Sequence, residues 1–544
     1  MPPVRKVLAS LEMAGAAGMV FARTGMLGPH RPDHLLGYAR AVRRWGLTMG
    51  ASYALTAVRA PSTAALIDED GAVSFAEMDE RTSTAACALA DLGVGPRSQV
   101  GLLSRNHRGF LTAVVALAKL GADTVYLNTG FAGPQLAQVA ERERVEVMIL
   151  DAEFVAQAGE LAKKVPLVVA DGPAGQKRRR RGVKLNLPDV VAGDARPGPP
   201  APGRIGAQII LTSGTTGAPK GAQRQFAARE VEPLVSLLSR IPLRMGDTTM
   251  IAAPMFHSWG LVNMAFGLML GATLVLSRRF DPEDALRRIE RHRVSALIAV
   301  PVMLQRLMDL PADVRRRYDT SSLRLAAVSG SALPGELANR FMDEFGDILY
   351  NMYGSTEIGW VTIADPTDLR ASPGTAGRPP VGTRVRLLDP DGRQVAAGET
   401  GRIFVRSGLQ FEGYTGGGSK DVVDGFMSTG DVGHFDAGGR LFVDGRDDDM
   451  IVSGGENVFP REVEELLMNH PAVEDAAVIG VDDDKYGQRL KAFVVTTDGE
   501  RVDAEDIKGY VREHLARYKV PRDVEFMDEL PRNATGKVLK RELA

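Results

Sequence analysis

Leu211-Thr212-Ser213-Gly214-Thr215-Thr216-Gly217-Ala218-Pro219-Lys220-Gly221-Ala222 crowds four hydroxyls and three glycines into one short loop with a lysine near its end. The apolar residues 205–211 read as a strand, so the loop opens where a strand stops. Small residues there let backbone N–H groups approach an anion without Cβ clashes, and Lys220 adds a positive charge; together they suit phosphate. The loop is not a Walker A loop. Pro219 precedes the lysine and Gly221 follows it, where that pattern needs glycine and a hydroxyl. A Gly/Thr-rich surface turn would have the same composition, so the rest of the chain must decide.

A chain of 544 residues exceeds what one hydrophobic core usually serves, which predicts two or more domains. The net charge of −2 leaves no overall basic field and argues against nucleic acid as a partner. The single cysteine, Cys87, lies among small apolar residues in a helical stretch, reads as packing and fits a reducing cytoplasm. No apolar run reaches the roughly 18 residues of a membrane span, and residues 13–22 are too short. Glu12 ahead of them, with no obvious cleavage site after, weakens a signal-peptide reading. In the basic segment 34–45, Leu35, Ala39 and Val42 could share a helix face opposite Arg40, Arg43 and Arg44. A solvated helix docked on the body is the favoured reading, with peripheral membrane contact through residues 1–50 left open. Monomer and homodimer both stay open.

Strand-like 99–103, 124–127 and 145–150 alternate with helical 106–120 and 133–143, the pattern of an α/β layer structure with parallel pairing. The basic cluster 177–181 and the Pro-rich 196–203 read as a solvated loop leading to the phosphate loop. Asp281-Pro282-Glu283-Asp284 is a helix start, with a capping oxygen, proline at the first position and acids at the positive dipole end. Residues 295–300 and 323–329 read as buried strands that end in small or turn-forming residues, where ligands of open α/β sheets gather, and 348–351 reads as a further strand ended by a turn. From 382 to 444 short strands broken by Asp-Pro-Asp-Gly and Gly-Gly turns predict a β-rich subdomain. A compact α+β pattern fills the last hundred residues, strand-like 476–481, 490–496 and 523–527 with helical 503–518, which places a boundary near residues 445–449.

Six further stretches suit a nucleotide enzyme: Ala253-Pro254-Met255-Phe256-His257-Ser258-Trp259, Ser329-Gly330-Ser331-Ala332, Tyr353-Gly354-Ser355-Thr356-Glu357, Ser428-Thr429-Gly430-Asp431 with Gly445-Arg446, Ser453-Gly454-Gly455-Glu456-Asn457, and Pro531 to Lys537. Each alone has a plain structural reading as a turn, a solvated charge or core. In this order, with the phosphate loop, they resemble the adenylate-forming superfamily over nearly the whole chain after residue 50. Within it they are most similar to bacterial fatty-acid–CoA ligases.

The resemblance implies an α/β fold, with a large N-terminal domain of stacked α/β subdomains plus a β-rich subdomain, and a small mobile α+β C-terminal domain. The expected division is an extension over 1–50, an AMP-binding domain over 51–446 and a mobile domain over 447–544. It gives Thr212, Ser213, Gly214, Thr215, Thr216, Gly217 and Lys220 to the phosphates, with Thr356, and Glu357 to Mg²⁺, where hard carboxylate oxygen is chemically apt. Gly330, Ser331, Ala332, Tyr353 and Gly354 fall on the nucleotide side; Asp431 and Arg446 hold the ribose, as an acceptor of both sugar hydroxyls and a fixed donor fork can. His257 stands near the reacting carboxylate, with Trp259 and Gly330 in the acid pocket. Peptide-synthetase domains for α-amino acids generally carry aspartate at the place of His257, which argues against an amino acid. Asp448 is the hinge, Gly454 and Gly455 line the thiol's path, and Lys537 serves the first half-reaction.

The expected activity is therefore activation of a medium- or long-chain fatty acid with ATP to acyl-AMP and pyrophosphate, followed by transfer to CoA. Residues 261–270 suit a lipid tunnel or plain core, with core the default reading. Three rivals are a ligase that loads a carrier-protein thiol, a luciferase-like oxidase and a catalytically silent nucleotide-binding scaffold; Lys537, Glu357 and Lys220 together speak against the last.

Overall fold

The structure, a computed structural model, describes residues 3–26, 28, 31–172, 182–212, 220–224, 231–411, 413–415, 417–447, 449, 451–453, 456–483, 487–497, 502–533 and 536–543. The basic cluster 177–181 lies outside them. Short Val/Ile/Leu runs alternating with amphipathic stretches need helical crossovers, and two largely parallel sheets result. One has seven strands in the order Val183–Asn186, Leu167–Val169, Val147–Leu150, Gln99–Leu103, Asp123–Tyr126, Gln208–Thr212 and Lys220–Arg224. All pair parallel except the last two, which form an antiparallel hairpin with Thr212 opposite Lys220.

The second sheet has eight strands in the order Gly359–Ala364, Leu349–Ser355, Leu325–Val328, Ala296–Ala299, Thr248–Ile251, Thr273–Leu276, Ala64–Asp68 and Gly71–Ser74. Its six middle strands run parallel, and an antiparallel strand closes each edge. Helices Phe75–Asp91 and Arg108–Leu120 unite the two sheets: Met78, Leu89, Phe110 and Leu117 share one buried cluster with Leu66 and Leu274 of one sheet and Leu102 and Ile149 of the other. Each such side chain contributes about 1.5–3 kcal/mol. Ser74 starts the first helix by accepting from the Glu77 N–H while the Glu77 carboxylate accepts from the Ser74 N–H. Asp281 caps helix Pro282–His292 at the Asp284 N–H, 2.8 Å away. Cys87 is buried in helix Phe75–Asp91.

Strands Arg384–Leu388, Gly401–Arg406, Val422–Val423, Phe426–Phe435 and Leu441–Arg446 form an antiparallel β-rich unit. The fourth sheet, Glu456–Val458, Ile451–Ser453, Gly487–Thr496, Val473–Asp483 and Asp523–Met527, carries helices Pro460–Met468 and Ala504–His514 over a separate core that includes Val463, Leu467, Val478, Val494, Ile507 and Val511.

One expectation changes. Helix Pro32–Trp45 docks through Ala41 and Trp45, whereas Leu35 and Ala39 point outward beside Arg40 and Arg43. The large ring of Trp45 decides the docked face: it lies 5.1 Å from the buried Lys119 ammonium. Residues 261–270, within helix Ser258–Leu270, are mostly core: Leu261, Met264, Phe266, Leu268 and Leu270 are buried against the central strands. Their apolar character is thus accounted for without a lipid tunnel. No helix among the described residues is long and apolar enough to cross a membrane.

Candidate active site

Four adjacent parallel strands, Leu349–Ser355, Leu325–Val328, Ala296–Ala299 and Thr248–Ile251, bring their C-terminal ends to one edge of the eight-stranded sheet. That edge gathers the motifs at 353–357, 329–332 and 253–259, the position where open α/β sheets bind ligands. Gly330 follows its strand with φ of 97°, a conformation that a side chain would strain. It is exposed there, as is Ala332, with Ser331 half-buried beside them. The motif at 353 begins inside a strand, not in the turn expected after 348–351, because Gly359–Ala364 returns antiparallel alongside it. A Cβ on Gly354 would stand 2.0 Å from the Gly359 carbonyl oxygen, so only glycine permits this approach.

Tyr353 donates its hydroxyl to Asp431 Oδ2 at 2.5 Å. Burial first, then the Asp431 carboxylate, holds the phenol well above its usual range, so it remains a donor. Asp431 stands opposite Arg446 across an antiparallel pair, with Nη1 3.5 Å from Oδ1. These three residues, far apart in sequence, form one polar group. Beside it, Thr356 Oγ1 donates to Ser258 Oγ at 3.3 Å, which ties the motif at 353 to the one carrying His257. Glu357 is buried and its Oε1 accepts from the Tyr414 hydroxyl at 3.0 Å. Lys220 Nζ lies 5.4 Å from the centre of the Tyr414 ring.

His257 stands at the N-cap position of helix Ser258–Leu270 without a side-chain capping bond, and its Nε2 is buried without a hydrogen-bond partner. Burial drives its pKa down to about 4, so the ring is neutral at pH 7. Trp259 is anchored: its indole N–H donates to the Ala299 carbonyl at 2.9 Å, and the ring is buried in the core. Asn106 pins the same turn from the other sheet, donating to the Ile251 and Ala253 carbonyls at 3.1 and 2.9 Å and accepting from the Met255 N–H at 2.9 Å. A lone Asn after a strand gives no hint of this in the sequence. Nor does Tyr414, although Gly413, Gly417 and Gly418 around it all take positive φ.

The tail turn carrying Lys537 is closed by its N–H donating to Asn533 Oδ1 at 2.9 Å and by the Asn533 N–H donating to the Lys537 carbonyl at 2.9 Å. Its Gly536, at φ 82°, sits so near Val302 that a Cβ would come within 2.5 Å of Cγ1. Val302 lies in the first turn of helix Pro301–Asp309, which follows strand Ala296–Ala299. The tail turn is thus docked at the same sheet edge, with the Lys537 side chain exposed. Ser213 to Gly217, Asp448, Gly454 and Gly455 lie outside the described residues; for Thr212 the backbone alone is described, paired with Lys220.

For a hard cation the oxygen donors of this motif fit in kind, since Glu357 offers carboxylate oxygen and the neighbouring Thr356 a hydroxyl. Among the described residues, His107, Asp151 and Asp171 are also mutually close, but their atoms are spent locally. His107 Nε2 is 2.8 Å from Asp151, and Asp171 pairs with Arg278 at 2.7 Å.

Nucleotide-type motifs collected at a parallel-sheet edge, with a small second unit docking a basic turn there, define the adenylate-forming class. The family model for AMP-binding enzymes matches residues 54–415, and that for the AMP-binding enzyme C-terminal domain matches 462–537. A feruloyl-CoA synthase from Amycolatopsis sp is 35% identical over 477 residues, 87% of this chain and 93% of that protein. An indoleacetate–CoA ligase from Aromatoleum aromaticum is 34% identical over 87% of this chain and 92% of its own. The crystal structure of the anthranilate CoA ligase AuaEII with anthranoyl-AMP superposes with a TM-score of 0.81 at 28% identity, covering 91% of this chain and 96% of that one. The chain belongs to the AMP-binding enzyme family.

Proposed function

We propose that this protein is an AMP-forming acid–CoA ligase whose acid is aromatic. In the first step a carboxylate oxygen attacks the α-phosphorus of ATP and pyrophosphate leaves, giving acyl-AMP. In the second, the CoA thiolate attacks the acyl carbon and AMP leaves with the bond electrons. The observation that carries the reading is the convergence on one edge of Tyr353–Asp431–Arg446, Glu357–Tyr414–Lys220, His257 and the Lys537 turn. Asp431 and Arg446 would hold the ribose, and Lys220 the β- and γ-phosphates. Mg²⁺, held by Glu357, would neutralise phosphate charge and act as a Lewis acid. Lys537 would bring an ammonium to the meeting carboxylate and α-phosphate. A cation at about 4 Å is worth roughly 4 kcal/mol at an effective dielectric of 20, close to a thousandfold in rate. Neutral His257, with a free buried nitrogen, would hydrogen-bond the acid rather than pair with it as a cation.

For the second step, the small domain would turn about Asp448 and exchange Lys537 for the Gly454–Gly455 face, since one cavity cannot serve both leaving pyrophosphate and entering thiol. The fatty acid expected from the sequence shares this chemistry. The named substrates of the relatives, together with the burial of residues 261–270, favour the aromatic class. A panel of cinnamic, arylacetic, benzoic and C8–C16 fatty acids, assayed for AMP release with and without CoA, tests this. We expect CoA-dependent turnover to be best with an aromatic acid; a clear preference for acyl chains would overturn the substrate assignment, and AMP release only with a carrier-protein acceptor would overturn the CoA assignment.

A further inference from the structure

Tyr414 touches both groups assigned to the triphosphate, and its backbone is stitched to both of their segments. Its loop joins strand Gly401–Arg406 to Val422–Val423 in the β-rich unit. The Thr415 N–H donates to the Gly221 carbonyl at 2.9 Å and the Gln223 N–H to the Gly413 carbonyl at 3.3 Å, so the loop lies along the strand that begins at Lys220. On the other side, the Phe411 N–H donates to the Glu357 carbonyl at 2.8 Å. The Phe411 ring meets the Tyr414 ring edge-on at 4.8 Å, which fixes the phenol's direction. Its hydroxyl then reaches Glu357 Oε1, and its ring stands within cation–π range of the Lys220 ammonium.

We propose that Tyr414 is a positioning residue that holds the Glu357 carboxylate and the Lys220 ammonium in one arrangement, matched to a magnesium-bound triphosphate. An ionised carboxylate only accepts hydrogen bonds, so the donor in this contact is the phenol. One hydrogen bond to Oε1 fixes the plane of the carboxylate and leaves lone pairs on both oxygens for a cation. The aromatic face holds the ammonium without neutralising it, so Lys220 keeps its full charge for phosphate. The inference rests on the nucleotide reading of Glu357 and Lys220 and adds to it a third residue.

The test is calorimetric binding of ATP to the full chain without any acid, in Mg²⁺ and in EDTA, for the unaltered protein, Tyr414→Phe and Tyr414→Leu, with melting temperatures alongside. Tyr414→Phe keeps the ring and loses the hydroxyl. It should bind ATP in EDTA within about twofold of the unaltered protein, while the gain in affinity from Mg²⁺ shrinks about tenfold, the scale of one lost hydrogen bond to a charged group. Tyr414→Leu should also weaken binding in EDTA by about threefold or more, as Lys220 loses its platform. A Tyr414→Phe protein that keeps the full Mg²⁺ gain, or that loses affinity equally in both media, overturns the proposal. If Tyr414→Leu melts early, the Phe variant alone decides. An unaltered protein whose ATP affinity ignores Mg²⁺ would instead overturn the assignment of Glu357 itself.

Discussion

His257 holds a packing position that the proposed function also gives a chemical role. It closes the turn that Asn106 pins between the two sheets, and its Nε2 has no partner, so the fold leaves one buried imidazole nitrogen ready for a ligand group. Desolvation depresses its pKa from 6.5 to about 4, which means the folded protein binds fewer protons than the unfolded chain between those values. The stability from keeping this ring neutral is therefore full above pH 6.5 and is lost progressively as pH falls towards 4. Each tenfold change in proton affinity is worth roughly 1.4 kcal/mol, so a few kcal/mol are at stake. In His257→Asn this titration is gone. Melting curves from pH 7.5 to 4.5 should show a smaller acid-side drop for the variant than for the unaltered protein; parallel curves would mean that this imidazole is not what titrates. The sequence marks His257 through its motif, but nothing local in it foretells the missing partner. That depends on Asn106, about 150 residues away, and on the packing around Phe256, whose ring lies 4.5 Å from the imidazole.

At the scale of elements, most strands and helices are legible because each is a local apolar run of the right period: 99–103 and 523–527 coincide with observed strands to the residue. What escapes local reading is pairing. The stretch 348–351 looks complete before Tyr353, yet the strand continues to Ser355 because Gly359–Ala364 supplies an antiparallel partner. The face of helix Pro32–Trp45 escapes for the same reason, since a distant lysine and the Pro-rich segment, through Gly198, meet Trp45. Gly354 makes the pairing testable. A methyl there would meet the backbone oxygen of Gly359 at 2.0 Å, and backbone cannot rotate aside as a side chain can. Gly354→Ala should cost about 3 kcal/mol or more and weaken nucleotide binding through Tyr353 and Thr356, whereas Gly509→Ala, on helix Ala504–His514 with open space around it, should be neutral or slightly stabilising. Chemical denaturation of both variants checks this; equal stabilities would show that the hairpin relaxes at no cost.

Across the whole molecule, the question is why a turn about 320 residues beyond Lys220 should belong to the same chemistry. The small unit has its own core, so its position on the large one depends on surface contacts such as Gly536 on Val302. Interfaces of this kind between units are the ones that open and close. If docking of the tail turn serves acyl-AMP formation alone, weakening the dock should separate the two half-reactions. Gly536→Ala does so without touching charge: its Cβ would press on Val302 at 2.5 Å, and φ of 82° disfavours any side chain. We expect it to slow acid-dependent pyrophosphate release about tenfold or more, while thioester formation from supplied acyl-AMP and CoA stays within about twofold. Lys537→Ala should give the same split in a more extreme form, with pyrophosphate release abolished, because it removes the ammonium that the dock delivers. Rapid-quench measurement of each half-reaction separates the cases. Equal losses in both steps for Lys537→Ala would show that the lysine is not specific to adenylation; a fully active Gly536→Ala would show that the contact with Val302 is dispensable for delivering it.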